Sequence, residues 1–258
     1  MKVVILCGGQ GTRIRGINDD LPKPMIPIGG YPILWHIMRG YAAAGYKDFV
    51  LCLGHKGRAI KDFFLNYHTS VADFVIDFAE GGKIAIERPR DIDWRVTLAE
   101  TGERTLTGSR VKRIERYIDG DTFLLTYGDG VSDIDIPALV AFHRRHKPVV
   151  TVSGVRPPGR FGEIEHNGER VSEFNEKPQA SGGRISGGFF VCDRRLFDYL
   201  DAEREDEVLE AEVLQTIARE GQMAMYAHDG FWQCMDTYRD YTLLNEIYEK
   251  GRAPWKVW

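Results

Sequence analysis

The sequence predicts an α/β protein: a Rossmann-like, mainly parallel sheet with helices on both faces and added antiparallel hairpins. Three observations predict it. Short apolar runs alternate with helical patterns from Val3 to Val155, a rhythm that right-handed crossovers turn into a sheet covered on both sides. Two stretches, near residues 71–100 and 160–192, break that rhythm with strand-like runs and no helix between them, which reads as hairpins or antiparallel additions. No Pro/Gly/Ser linker is long enough to divide the chain, so residues 1–258 are expected to form one domain with insertions near 71–110 and 156–192.

The elements follow in order. Val3–Cys7 is a β-branched first strand, and Pro32 opens a helix with Ile33, Ile37 and Tyr41 at i, i+4 and i+8, stopped at Gly45. Asp48–Leu53 is a second strand, and Arg58–Tyr67 is a helix with Ile60, Phe63, Phe64 and Tyr67 on one face. Val71–Phe78, Lys83–Glu87 and Arg95–Ala99 are the first group of extra strand-like runs. Thr122–Tyr127 (strand), Ile136–His146 (helix, Pro137 near its start) and Pro148–Val155 (strand) restore the alternation. Phe161–His166, Arg170–Phe174 and Ile185–Cys192 form the second extra group. Helices at Leu209–Glu220 and Tyr238–Lys250, the latter ended by Gly251, complete the chain.

Composition narrows the function. Lys plus Arg total 34 against 38 Asp plus Glu, a net charge of −4, which offers neither a basic field for nucleic acid nor a polybasic membrane anchor. No apolar run approaches the roughly 20 residues of a membrane helix, and Val3–Cys7 is too short for a signal-peptide core. Cys7, Cys52, Cys192 and Cys234 form no C-x-x-C pair, and three of them sit in strand-like runs. They read as buried free thiols in a reducing cytoplasm.

Chemistry concentrates after the first strand. Leu6-Cys7-Gly8-Gly9-Gln10-Gly11-Thr12-Arg13 is a glycine-rich loop whose backbone N–H groups can close on phosphate oxygens, with Arg13 as a cationic fork. A tight packing turn is the plainer alternative. The dinucleotide fingerprint G-x-G-x-x-G fails because Ile14 stands at its last glycine, and no Walker P-loop string occurs. Pro22-Lys23-Pro24 follows, and its prolines are expected to hold Lys23 in an extended segment. Asp129 in Tyr127-Gly128-Asp129-Gly130 stands at the C-terminal edge of a buried strand, where open α/β sheets bind ligands; an ordinary Asp-Gly turn is the alternative. Asp236 by itself reads as the N-cap of the helix near Tyr238. Glu176-Lys177 forms a second acid–base cluster between strand-like runs. His143 and His146, at i, i+3, lack further ligands and read as surface residues of a basic cluster. The five tryptophans read as packing or interface residues, and the tail Trp255–Trp258 as a docking segment on this chain or a neighbour.

The L-x-G-G-x-G-T-R loop from Leu6 to Arg13, followed by Pro22-Lys23-Pro24, resembles the sugar nucleotidyltransferases. The resemblance implies their fold and a nucleotide site made by Leu6, Cys7, Gly8, Gly9, Gln10, Gly11, Thr12, Arg13, Lys23 and Gly128. Arg13, Lys23 and Asp129 would be catalytic, and Asp129 and Asp236 would jointly hold Mg²⁺ against substrate phosphates. Gly162, Glu176, Lys177, Gly187 and Gly188 would hold the sugar phosphate. Further segments, among them Thr97–Gly102, Thr107–Arg110 and Phe231–Thr237, are similar to the branch of the family that uses CTP and glucose 1-phosphate. They imply Thr105 and Arg110 as nucleotide contacts and a role in deoxysugar supply for surface polysaccharide. Homo-oligomers are common in the family. Leu21, Tyr31 and Ser109 depart from the usual pattern of that branch. The competing readings are a thymidylyl- or uridylyltransferase and a non-catalytic sugar-nucleotide sensor; a dehydrogenase is disfavoured by Ile14.

Overall fold

The computed structural model describes residues 1–9, 20–86, 92–157, 163–167, 169–175 and 183–258. Seven strands form the main sheet: β1 (Val3–Leu6), β2 (Asp48–Leu53), β3 (Arg95–Glu100), β4 (Thr122–Tyr127), β5 (Val150–Val155), β6 (Ile185–Asp193) and β7 (Met223–His228). Their order across the sheet is β7-β5-β6-β4-β1-β2-β3. β6 runs antiparallel to both of its neighbours, while every other pairing is parallel. The expected mainly parallel sheet is therefore present, with one reversed strand inside it.

Alternation along the strands builds two apolar layers. Val3 and Ile5 of β1, Phe49, Leu51 and Leu53 of β2 and Leu124 of β4 point to one face. There they meet α1 (Ile33–Ala43), α2 (Gly57–Leu65) and α4 (Ile136–His146), together with Leu244 of α6 (Tyr238–Glu249). Val4, Leu6, Val50, Cys52, Phe123 and Leu125 point the other way, toward α3 (Thr107–Arg113) and α5 (Leu214–Arg219). Helices thus cover both faces, and the strand side chains alternate between them with the period of two that a pleated strand imposes.

Several elements differ from the sequence expectation for identifiable reasons. Arg95–Glu100 is no antiparallel addition but pairs in parallel with β2, whereas Ile185–Asp193 is the antiparallel addition to the main sheet that the sequence allowed. Phe74–Asp77 with Lys83–Ile86, and Glu163–Asn167 with Arg170–Asn175, are the hairpins expected; Glu87 and Phe161 lie outside the described residues. The helix expected to reach Tyr67 stops at Leu65. Asn66 leaves helical geometry with φ −101° and ψ 8°, both its N–H (3.1 Å) and its side-chain amide (2.8 Å) donating to Asp62 O, and a separate short helix, Tyr67–Val71, follows. Tyr67 is still buried and its hydroxyl accepts from Trp35 Nε1 at 3.2 Å. Edge strand β7 carries no β-branched residue and is made by its register with β5.

Other corrections concern single side chains. His143 is buried, not part of a surface cluster, and its Nδ1 meets Thr151 Oγ1 at 2.9 Å. The tail docks on its own chain: Trp255 is buried beside His36, and Trp258 meets Trp35 edge-on, with Arg39 over both rings. Cys7, Cys52 and Cys192 are buried free thiols, as expected. No helix among the described residues is long and apolar enough to cross a membrane.

Candidate active site

The C-terminal ends of β1 and β4 open onto a cleft of about 700 Å³, walled by Leu6, Cys7, Gly8, Gly9, Lys23, Pro24, Thr105, Thr107, Arg110, Tyr127, Gly128, Asp129, Glu210 and Asp236. A second cavity of about 220 Å³ adjoins it, walled in part by Gly187, Gly188, Trp232 and Cys234. Tyr127, Asp129 and Asp236 line both. The two aspartates therefore stand where a ligand in one cavity would meet a ligand in the other.

Short-range geometry explains how residues so distant in sequence converge. Lys23 lies not in an extended segment but in a 3₁₀ turn, Lys23–Met25, closed by Met25 N–H donating to Pro22 O at 2.8 Å. Pro24 packs on Gly128, where a Cβ would fall 2.9 Å from the proline ring and 3.1 Å from Leu6 O. Only glycine lets the end of β4 approach both. Beyond Asp129, Gly130–Ser132 pairs antiparallel with Trp232–Cys234, and Met235 N–H donates to Asp129 O at 2.8 Å. That short ribbon brings Asp236 beside Asp129. The expected N-cap role of Asp236 is taken instead by Thr237, in a capping box with Asp240, which leaves the Asp236 carboxylate directed at the cleft.

Lys23 Nζ bridges the two carboxylates, at 2.5 Å from Asp129 Oδ2 and in contact with Asp236 Oδ1. Burial works to lower the Lys23 pKa, but the two carboxylates outweigh it and hold the ammonium above its ordinary value. Two carboxylate oxygens from different elements thus converge on one cation. Among the described residues no group of three or more His, Cys, Asp or Glu side chains could hold a metal. Two carboxylates at a phosphate-sized opening are a donor set of the kind Mg²⁺ takes, since it is usually held by one or two carboxylates with substrate phosphates and water completing its shell.

The cleft's thiols are inert. Burial pushes Cys7 well above its usual value, and burial with Asp236 and Asp129 nearby pushes Cys234 up to about 12, so neither offers a thiolate nucleophile.

On the second cavity, Gly188 has φ +74° and a Cβ there would strike the Tyr127 ring, while a Cβ on Gly187 would meet Val155 and Ser153. Packing within the protein itself thus demands glycine at both positions. Thr105 and Arg110 belong to the cleft wall, yet Thr105 Oγ1 accepts from Arg113 Nη1 at 3.0 Å and Arg110 is engaged with backbone carbonyls. Gln10, Gly11, Thr12, Arg13, Gly162, Glu176 and Lys177 lie outside the described residues.

Sequence reasoning missed three wall residues. The expected helix at Leu209–Glu220 begins as a π-turn, Leu209–Val213, which projects Glu210 at the cleft. Its carboxylate accepts from the Tyr127 hydroxyl and from Thr107 Oγ1, the latter at 2.7 Å. The Y-G-D-G run already held Tyr127 next to a chosen residue and Thr107 opens a segment singled out by resemblance, whereas nothing local marks Glu210.

A doubly covered α/β sheet with a glycine-rich turn after its first strand and a lysine held between two aspartates defines a class of phosphate-handling enzymes, and the comparison with known sequences agrees. Residues 2–251 match the Nucleotidyl transferase family, and the chain belongs to it. Over the full length of both chains it is 45% identical to the glucose-1-phosphate cytidylyltransferase of Salmonella typhimurium. It is 40% identical to the probable glucose-1-phosphate cytidylyltransferase of Bacillus subtilis, again over the whole of both chains. The crystal structure of HddC from Yersinia pseudotuberculosis shares the fold with a TM-score of 0.70 at 22% identity, covering 96% of this chain and 99% of that one.

Proposed function

We propose that this protein transfers a cytidylyl group from CTP to α-D-glucose 1-phosphate, giving CDP-glucose and pyrophosphate. The observation that carries the reaction class is the convergence of Lys23, Asp129 and Asp236 at the junction of two cavities. The choice of cytosine and glucose is supported by the identity with the Salmonella and Bacillus enzymes.

The larger cavity would take the nucleotide and the smaller the sugar phosphate. A phosphate oxygen of glucose 1-phosphate attacks the α-phosphorus of CTP; the P–O bond to the β-phosphate breaks, and its electrons leave with pyrophosphate. The protein's task is to position two polyanions that repel each other and to neutralise their charge. Lys23, released from the carboxylates, would pair with the triphosphate. Arg13 and Lys177 would act on the nucleotide and sugar phosphates respectively, by the family resemblance. Asp129 and Asp236 would hold Mg²⁺, which supplies charge stabilisation to the phosphate oxygens. Gly187 and Gly188 line the smaller cavity, where the sugar would approach.

The proposal extends to the whole molecule. Residues 1–258 would act as one catalytic domain with sugar-side insertions. The hairpin Phe74–Asp77/Lys83–Ile86 exposes Phe74, Val75, Ile76, Ile84 and Ile86, which supports a homo-oligomer. The buried free thiols suit a cytoplasmic location.

Pyrophosphate release with glucose 1-phosphate and Mg²⁺, measured for five nucleoside triphosphates in turn, tests this reading. Preference for CTP supports it. Preference for UTP or dTTP keeps the reaction class and overturns the base, and binding without turnover would make the chain a sensor.

A further inference from the structure

Asp129 and Asp236 reach the junction of the two cavities from different kinds of backbone. Asp129 lies just past the end of β4, two residues beyond Tyr127 in the main sheet. Asp236 lies between the short strand Trp232–Cys234 and α6, outside regular structure. Its carboxylate is placed only as well as that connection is held.

One side chain gathers the connection. Asp240, in the first turn of α6, accepts on Oδ2 from Asp236 N–H at 3.1 Å and from Thr237 N–H and Oγ1, each at 2.9 Å. Its Oδ1 accepts from Gln233 Nε2 at 3.1 Å. Gln233 is 4% exposed and also donates to Cys234 O at 2.7 Å. These four donors all belong to Gln233–Thr237, the segment that carries Asp236.

A capping box explains only part of this. The box consists of Thr237 Oγ1 accepting from Asp240 N–H and the Asp240 carboxylate accepting from Thr237 N–H. The bonds from Asp236 N–H and Gln233 Nε2 come from residues ahead of the cap and do nothing to start the helix. They tie Asp240 to the ribbon strand on one side and to the backbone of Asp236 itself on the other. An ionised carboxylate suits this task, because it accepts several bonds at once and is favoured at a helix N-terminus. Asp240 and Gln233 are not among the described residues that wall either cavity, so their influence on a ligand runs through Asp236.

We propose that Asp240 is a positioning residue for Asp236: by gathering Gln233 Nε2 and the Asp236 N–H onto one carboxylate, it fixes the Asp236 side chain opposite Asp129 and so sets metal affinity and turnover. This role rests on the function proposed above, with Asp129 and Asp236 as the Mg²⁺ pair.

The test uses the full-length enzyme and three readouts: Mn²⁺ binding without either substrate, kcat with the nucleotide preferred by the wild type, and melting temperature. Asp240→Glu installs the acid that capping boxes commonly carry, so the melting temperature should stay within about 2 °C of the wild type. Its longer arm displaces the carboxylate from Gln233 and Asp236, and Mn²⁺ affinity and kcat should each fall about tenfold. Gln233→Met leaves the box untouched and should lower both at least about threefold. Thr237→Ala should lose more stability than Asp240→Glu and less turnover. In an Asp236→Asn background, Asp240→Glu should cost kcat less than about a further twofold, because the residue it acts through is gone.

Wild-type Mn²⁺ affinity and kcat in both Asp240→Glu and Gln233→Met overturn the proposal. So do losses that track melting temperature across the three single variants, which mark a helix cap only, or full multiplicativity of Asp240→Glu with Asp236→Asn. Failure of the underlying function shows separately. A wild type silent with all five nucleotides removes the reaction, and the Mn²⁺ affinities then decide. Asp236→Asn binding Mn²⁺ as tightly as the wild type removes the metal pair, and the kcat coupling then decides. If Asp240→Glu does not fold, Gln233→Met set against Thr237→Ala decides.

Discussion

Two cations of the cleft wall, Lys23 and Arg110, solve opposite problems. Lys23 is held by two carboxylates from different elements, whereas Arg110 is held by neutral acceptors on three strand ends. An ammonium between aspartates is already neutralised, and it must leave them to act on a phosphate. A guanidinium among carbonyls is geometrically satisfied but electrically uncompensated, so it can stay in place and still attract a polyanion. Ammonium and guanidinium suit these roles: the first is a compact charge on a flexible stem, the second a rigid fork. On the proposed function, the cleft would have a wall that stays fixed and a junction that exchanges partners.

The contrast can be broken most severely at the junction. Asp129→Asn and Asp236→Asn are each expected to lower kcat at least about a hundredfold in folded protein, the scale of removing one preorganised electrostatic group. Turnover assays with melting curves check this, and near-normal turnover in either would remove that aspartate from the site. Lys23→Met should lose turnover on a similar scale, about a hundredfold. It should also bind Mn²⁺ without nucleotide more tightly than the wild type, because the competing ammonium is gone. Mn²⁺ titration by electron paramagnetic resonance reads that directly, and weaker Mn²⁺ binding would contradict the exchange.

Two smaller effects lie away from the chemistry. Burial lowers the His36 pKa from 6.5 to about 4. Its Nε2–H donates to Ile28 O at 2.8 Å, and its Nδ1 faces Trp255 Nε1 at 3.4 Å. The folded protein keeps this ring neutral while the unfolded chain protonates it near its ordinary value. The resulting stability is present above about pH 6.5 and is lost as pH falls toward about 4, by up to about 3 kcal/mol. Melting curves and tryptophan fluorescence over that window should show it, with a flatter profile for His36→Gln. Thr237→Ala removes the cap of α6 and should cost about 1 kcal/mol in a denaturant melt. It should also reduce turnover modestly, since the cap sits next to Asp236.

Much of the fold was legible because it rests on local periodicity. β2, β4 and α4 have the bounds that their apolar patterns predicted, since a doubly covered sheet requires continuous apolar strands. β7 was not, because edge position is a long-range fact, and the same is true of the parallel pairing of β3, which was expected as a hairpin or antiparallel addition. The same division runs through the site. Lys23 and Asp129 stand in glycine- and proline-marked segments that announce themselves. Asp236 looked like a helix cap until Thr237 proved to fill that place, and Glu210 was hidden by a π-turn with no signature of its own.

Residue types and their near-neighbour spacing were enough to specify a covered α/β sheet, glycines after its first strand and a resemblance to nucleotidyltransferases. Those properties depend on side-chain period and on backbone permissions a few residues long. Folding alone decided that Lys23 lies between Asp129 and Asp236, and that Arg110 fills a slot cut by Gly8 and Gly54. Such contacts join segments separated by up to 213 residues, and no local pattern encodes which carbonyl or carboxylate a buried cation will meet.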